Sequence, residues 1–179
     1  MLLSRLLGKT LRQPPANARQ VSHVLLARAG YVRSQGAGLF SYLPLGTLAL
    51  QRLRARLRQE LSSLGGQEVE LPLPSAEEAG ETLARLVRRE VDSYRQLPTL
   101  LFRLASRSLP PARSRTGLFG ASERPFLEID AFGGAMQAEM AQVVGALDRL
   151  LAACDVAWTW ADCGDDGRRG YYFHVAGDE

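Results

Sequence analysis

The stretch YLPLGTLALQRLRARLRQELSSLGGQEVELP, residues 42–72, decides the fold. Across Thr47 to Leu64 the leucines at 50, 53, 57, 61 and 64 recur at helical spacing, whereas Arg52, Arg54, Arg56 and Arg58 fall mostly elsewhere on the wheel. That pattern predicts an amphipathic helix. Gly65-Gly66 supplies its C-terminal stop. From Gln67 to Leu71 the period changes to two, with Val69 and Leu71 on one side and Glu68 and Glu70 on the other, so a half-buried strand is expected up to Pro72. The unit is a long helix feeding a strand of antiparallel type.

Working outward, Val21 to Gly30 carries a short helical pattern, and glycines 30, 36 and 38 then break the chain into a turn-rich loop that enters the long helix. Beyond the Pro72 to Pro74 break, Ser75 is a candidate N-cap, and Glu77 to Tyr94 resumes helical periodicity through Leu83, Val87, Val91 and Tyr94. Arg88, Arg89 and Arg95 stand on the favourable side of that helix's dipole. Thr99 to Ala105 and Pro125 to Phe132 read as strands, joined by a polar hairpin-like loop over Ser106 to Arg124. Met136, Met140, Val143, Leu147, Leu150, Leu151 and Cys154 form the apolar face of a further helix, which makes Cys154 a core thiol. Val156 to Ala161 and Tyr171 to Ala176 are expected strands around the turn Gly164-Asp165-Asp166-Gly167. No internal repeat or low-complexity tract interrupts this order of helices among mostly antiparallel strands, which is that of an α+β domain.

A chain of 179 residues is the size of one domain, taken here as residues 1–179, and its 46% hydrophobic and 23% charged content places it with globular proteins rather than disordered ones. No apolar run reaches the roughly 20 residues of a membrane span. The leucines between Arg5, Lys9 and Arg12 imitate a transit peptide, but no small-residue cleavage site follows, and a cytoplasmic location is the expectation. Of the 22 basic residues only Lys9 is lysine, so 21 are arginine. Guanidinium forks bind phosphates and carboxylates bidentately, which suggests nucleotide or RNA contacts; codon bias is the alternative, because a net charge of +3 is small. Cys154 and Cys163 form neither a zinc pattern nor a disulfide framework, His23 and His174 lie far from them in sequence, and no metal site is expected.

Four pieces in order carry a resemblance: Val21-Ser22-His23 with Arg28-Ala29-Gly30-Tyr31, then Tyr42 to Gly46, then Gln67-Glu68-Val69 through Leu71-Pro72, and Ser93-Tyr94-Arg95-Gln96-Leu97-Pro98. Together they resemble the catalytic core of bacterial prolyl-tRNA synthetases, class II enzymes built on an antiparallel sheet flanked by helices. The resemblance implies that Thr47 to Pro72 matches the first class II signature, which builds a dimer interface. Tyr42, Pro44, Gly46, Leu57 and Pro72 are then interface candidates and a homodimer is expected.

The second signature departs from the family. An Arg-x-Glu there holds ATP, its arginine on the α-phosphate, yet alignment puts Leu109 at the arginine and Pro111 at the glutamate. Leucine has no donor, and proline has neither a carboxylate nor an N–H. Arg107, two positions earlier, could stand in after a two-residue strand slip, and Arg113, Arg115 and Glu123 complete the nucleotide-binding candidates, Glu123 for the adenine edge. The family's Thr-x-Glu for proline reads Glu78-Ala79-Gly80 here, with Glu78 and Glu81 as remaining carboxylates or simply a solvated helix face. Asp130-Ala131-Phe132 matches in register, and Ala161 to Gly164 and Gly170 to Phe173 resemble stretches that border the family's editing insertion, with tyrosines in place of a His-Glu pair. The third signature, the editing insertion and the anticodon-binding domain have no counterpart.

Three functions follow as expectations. A synthetase-like paralogue unable to charge tRNA would act as a binding or regulatory module, with a full-length synthetase, tRNA or another protein as partner. A minimal enzyme would activate an amino acid with ATP through Arg107, Arg113 or Arg115, ATP being possible by resemblance only. An RNA-binding accessory would use Arg52 to Arg58 or the Arg113 to Arg124 loop. No nucleophile and base arrangement supports a hydrolase.

Overall fold

The computed structural model describes residues 5–16, 18–36, 38–72, 76–108, 117–134 and 136–158. Helix α1 (Val21–Arg28) leads into an antiparallel hairpin of β1 (Val32–Gly36) and β2 (Leu39–Tyr42), in register from Val32 opposite Tyr42 to Gly36 opposite Leu39. The loop expected over this stretch is therefore a sheet of its own. Gly30 and Gly38 adopt positive φ at its two bends, which glycine reaches without strain. Phe40 of β2 packs edge-on against His23, their ring centroids 5.1 Å apart, and burial lowers the imidazole's pKa.

Helix α2 (Pro44–Ser63) begins three residues earlier than the leucine spacing indicates, because Pro44 at the first helical turn has its φ already set for a helix and no N–H to leave unpaired. It stops where expected. The Gly66 N–H donates to the Leu61 carbonyl and the Gly65 N–H to that of Ser62, with Gly65 at φ +79°, the paired closure of a Schellman motif. Leu61 is fully buried, Leu50, Leu57 and Leu64 are half-buried and Leu53 is 40% exposed, so the leucine stripe is covered unevenly.

The second sheet has the order β3, β4, β5. Strands β4 (Thr99–Ser108) and β5 (Glu123–Phe132) pair antiparallel over ten residues, from Thr99 opposite Phe132 to Ser108 opposite Glu123. Both run past their expected ends, which shortens the loop between them. Strand β3 (Gln67–Glu68) corrects the antiparallel expectation: it is two residues long and parallel to β4, with the Val69 N–H donating to the Phe102 carbonyl at 2.9 Å. A helix returning the chain to the same edge permits either direction, and alternation alone cannot choose.

Helix α3 (Ala76–Glu90) ends four residues short of Tyr94, which is 79% exposed on a separate 3-10 turn, Tyr94–Gln96, ahead of the cis Leu97–Pro98 bond. Helix α4 (Met136–Ala153) carries Val143, Ala146 and Leu150 into the core, which also contains Leu61 and Phe102. Cys154 lies one residue past its end and is exposed, not the core thiol expected. Residues 156–158 are not strand, and the rest of the two expected terminal strands, like Ser75, lies outside the described residues.

Between α2 and α4 the buried Glu60 accepts from Arg56 at 2.7 Å and from Arg149 at 3.1 Å. The Trp158 indole N–H donates to Asp148 at 2.8 Å, folding the chain back on α4.

Gly46 fixes the entry of α2 under β1. A methyl group there would sit well inside 3.0 Å of the Tyr31 carbonyl oxygen, the acceptor of the Leu43 N–H. Glycine to alanine in a helix ordinarily stabilises by about 1 kcal/mol. Gly46→Ala is expected to reverse that sign, costing roughly 1–3 kcal/mol by overpacking, read from the shift of a urea-unfolding midpoint.

Candidate functional site

The β4–β5 ladder sets three charged side chains beside one another. Arg103 pairs directly with Glu128 across the strands, and Leu101 with Asp130 two positions along, so strand alternation puts Arg103, Glu128 and Asp130 on one face. That face is the wall of a cleft of about 290 Å³, closed on its other side by Leu71 and by Gly80 and Leu83 of α3. Arg103 is 8% exposed, and its Nε donates to Glu128 Oε2 in a charge-assisted pair. Glu128 makes a further interaction, whereas the outer N–H groups of Arg103 meet no other acceptor among the described residues.

Asp130 is half-buried beside this pair. Burial pushes its carboxyl above the ordinary carboxylate range, and Arg103 pulls partly the other way. A cleft holding one guanidinium edge and one strained carboxylate complements a small molecule that carries both a negative and a positive group.

Of the residues expected to form a nucleotide site, Glu123 does not line this cleft. Arg107 lies four residues along β4 from Arg103, its backbone opposite Arg124, and Glu123 is exposed at the far end of β5 opposite Ser108. Five residues of strand, about 17 Å, separate Glu123 from Glu128. Glu123 is instead near Tyr42: burial raises the Tyr42 pKa, Arg54 opposes that shift and Glu123 adds to it. The Ser122 N–H donates to the Gly38 carbonyl at 2.8 Å, fastening the first hairpin to the start of β5. Arg113, Arg115, Leu109 and Pro111 lie outside the described residues. Of the interface candidates, Tyr42 is 42% exposed, Leu57 is partly exposed, Pro72 is exposed, Pro44 opens α2 and Gly46 is buried. Among the described residues, no group of three or more His, Cys, Asp or Glu side chains is placed to hold a metal ion, and no helix is long and apolar enough to cross a membrane.

Sequence reading passed over Arg103 and Glu128. Their signal is a lone charge inside each apolar strand, in Leu101-Phe102-Arg103-Leu104 and Phe126-Leu127-Glu128-Ile129. Two such breaks of opposite sign on neighbouring strands mark a cross-strand pair once the register is known.

The Asp130 shift gives a pH dependence with a defined sign. The folded carboxyl has the higher pKa, so wild type is relieved of the burial penalty below the unfolded-state value and bears it as pH rises through the folded value. Asp130→Asn removes the titration. The variant is expected to gain stability over wild type at neutral pH, with the difference closing below about pH 4, the ordinary carboxylate range. Paired urea titrations at pH 7 and pH 3.5 measure it.

No family model matches the chain. Curated proteins do, over part of their length. The proline–tRNA ligase of Heliobacterium modesticaldum is 34% identical over 154 residues, covering 69% of this chain and 27% of the relative. That of Streptomyces coelicolor is 35% identical over 161 residues, 73% of this chain and 28% of the relative. That of Desulfitobacterium hafniense is 31% identical over 206 residues, 95% of this chain and 36% of the relative. The last alignment is longer than the 179-residue chain, so the relative carries residues that this chain skips. The chain thus spans about a quarter to a third of the length of these relatives. Over the stretch the two share, it is a partial homologue of the proline–tRNA ligases, a prolyl-tRNA synthetase-like protein.

Proposed function

We propose that residues 1–179 form a class II synthetase-like core that binds an amino acid in the cleft between α3 and the β4–β5 ladder without activating it, and so acts as a binding or regulatory module of translation in the cytoplasm. The observation that carries this reading is the cleft itself: about 290 Å³, with Arg103 and Asp130 on one wall. A zwitterion meets both, its carboxylate on the free edge of the Arg103 fork and its ammonium on Asp130. Binding an ammonium would also relieve the cost of holding Asp130 ionised while half-buried.

The sequence supports the noncatalytic half. Adenylate formation places charge on the α-phosphate, and Leu109 and Pro111 offer no group to stabilise it. Glu123 stands at the opposite end of the strand from the cleft and is turned to the neighbourhood of Tyr42 and Arg54, so its contribution to a shared adenylate pocket would need a rearrangement. An accessory RNA site on α2 is weakened by the geometry: Arg56 is held by Glu60, and Arg58 makes two bonds to Glu68 at 2.7 and 2.8 Å.

Apolar groups left uncovered on β2 and midway along α2 support dimerisation. Leu39, Tyr42 and Leu53 are 51, 42 and 40% exposed, and a two-fold contact would bury them together. In sedimentation equilibrium wild type is expected as a dimer and Leu53→Glu as a folded monomer.

Isothermal titration with proline, ATP and a nonhydrolysable prolyl-adenylate analogue, together with a pyrophosphate-exchange assay, tests the main reading. Amino-acid binding that Asp130→Asn weakens about tenfold or more, with no exchange, is the expected outcome, the magnitude being that of a lost charge-assisted bond. Proline-dependent exchange would show that the adenylate chemistry survives on other residues.

A further inference from the structure

The C-terminal half of α3 presents arginines that the cleft does not use. Arg85, Arg88 and Arg89 are all exposed, and none has an ion pair or hydrogen bond to a described residue. At about 100° per residue they fall within an arc of roughly 100° on the side of the helix away from the buried Leu83. The exposed carboxylates nearby are Glu81, a turn earlier on the same side, Glu90, about 100° round the helix from Arg89, and Asp92 beyond the helix end. The last turn of the face is thus purely cationic.

Four residues past the end of the helix stands Tyr94, 79% exposed, on a hydrogen-bonded 3-10 turn. The Asp92 and Ser93 N–H groups both donate to Gln96 Oε1, at 2.8 and 2.9 Å, the Arg95 N–H donates to Ser93 Oγ at 3.3 Å, and the Leu97 N–H to the Tyr94 carbonyl at 3.1 Å. This capping box fixes the backbone on both sides of the ring. Arg95, next to it, is exposed as well. A large exposed aromatic side chain on a hydrogen-bonded turn, close in sequence to guanidinium groups that have no ion pair among the described residues, is the combination that stacks one unpaired base while neutralising neighbouring phosphates. The helix dipole accounts for arginines in a last turn but not for the presented ring.

We propose that Arg85, Arg88, Arg89, Tyr94 and Arg95 form a binding surface for single-stranded RNA, separate from the cleft. The ring takes a base face and the arginines take backbone phosphates, so the surface recognises an unpaired strand rather than a helix, in which bases are already stacked. An acidic peptide would match the charges but would leave the ring without a planar partner.

Fluorescence anisotropy with a labelled single-stranded RNA of about twelve nucleotides, within the usual footprint for such surfaces, tests this on the full chain. Binding is expected to fall with salt at a log–log slope of about −3, for roughly four neutralised phosphates. The triple variant Arg85→Gln, Arg88→Gln, Arg89→Gln should reduce the slope by about 2. Tyr94→Ala should weaken binding roughly tenfold with little change in slope, since stacking is not ionic. Arg52→Gln with Arg54→Gln on α2 should leave affinity unchanged, and circular dichroism confirms that each variant is folded. Equal affinity for a duplex of the same length, no effect of Tyr94→Ala, or loss of binding in the α2 variant instead of the α3 variant would each overturn the proposal. No measurable RNA binding would do so too, while leaving the amino-acid reading of the cleft to its own titration.

Discussion

The register between β4 and β5 is the constraint from which the rest of the molecule follows. Ten consecutive pairs align the strands, and a slip of one residue would exchange their two faces. In the observed register Phe102 points to the layer that also holds Leu61, Val143, Ala146 and Leu150, while Arg103 and Glu128 meet on the other side. Register is held from both directions at once. Moving it would drive the Arg103 charge into the apolar layer and pull Phe102 out of it, a cost that neither strand's hydrogen bonds could offset.

The same ladder explains how a small sheet supports two differently charged surfaces. One face is closed by α2 and α4, which are linked through Glu60 and Arg149, so the helices have a fixed spacing as well as apolar contact. The other is covered by α3 only in part. What α3 leaves open is the cleft, and what it turns away from the sheet is the arginine row that ends at Tyr94. The amphipathic character of this one helix therefore creates both sites: Leu83 is buried toward the cleft while Arg85, Arg88 and Arg89 face water.

How much of this was legible in the sequence depended on how local each signal is. The four helices and the strands β4 and β5 were readable, because periodicity within ten to twenty residues reports burial directly. The hairpin of β1 and β2 was not, since Gly30, Gly36 and Gly38 look like loop punctuation whether or not strands lie between them. Nor was the direction of β3, which depends on where the chain returns after α3. The end of α4 shows the limit of periodicity itself: Cys154 continues the apolar spacing, yet the helix closes at Ala153 and leaves the thiol exposed. The charged pair in the cleft needed a register across 25 residues of separation, and neither member is unusual in its own segment. The stretches that resembled the proline–tRNA ligases were right about kinship, and the relatives bear that out at 31 to 36% identity. They bear on positions 109–115, however, and not on Arg103.

Kinship and site chemistry are separable here. Identity in this range preserves the order and packing of elements, which rest on many interchangeable apolar contacts, whereas transfer chemistry rests on a few charges that cannot be exchanged for neutral side chains. Among the described residues the ladder runs from Thr99 opposite Phe132 to Ser108 opposite Glu123, so its pairing does not draw on positions 109 and 111. Neither position contributes to the cleft wall, which is built from Arg103, Glu128 and Asp130 in the middle of the ladder. The cleft's two charges come from the register alone, so a frame of this kind keeps them wherever the ladder pairing is kept.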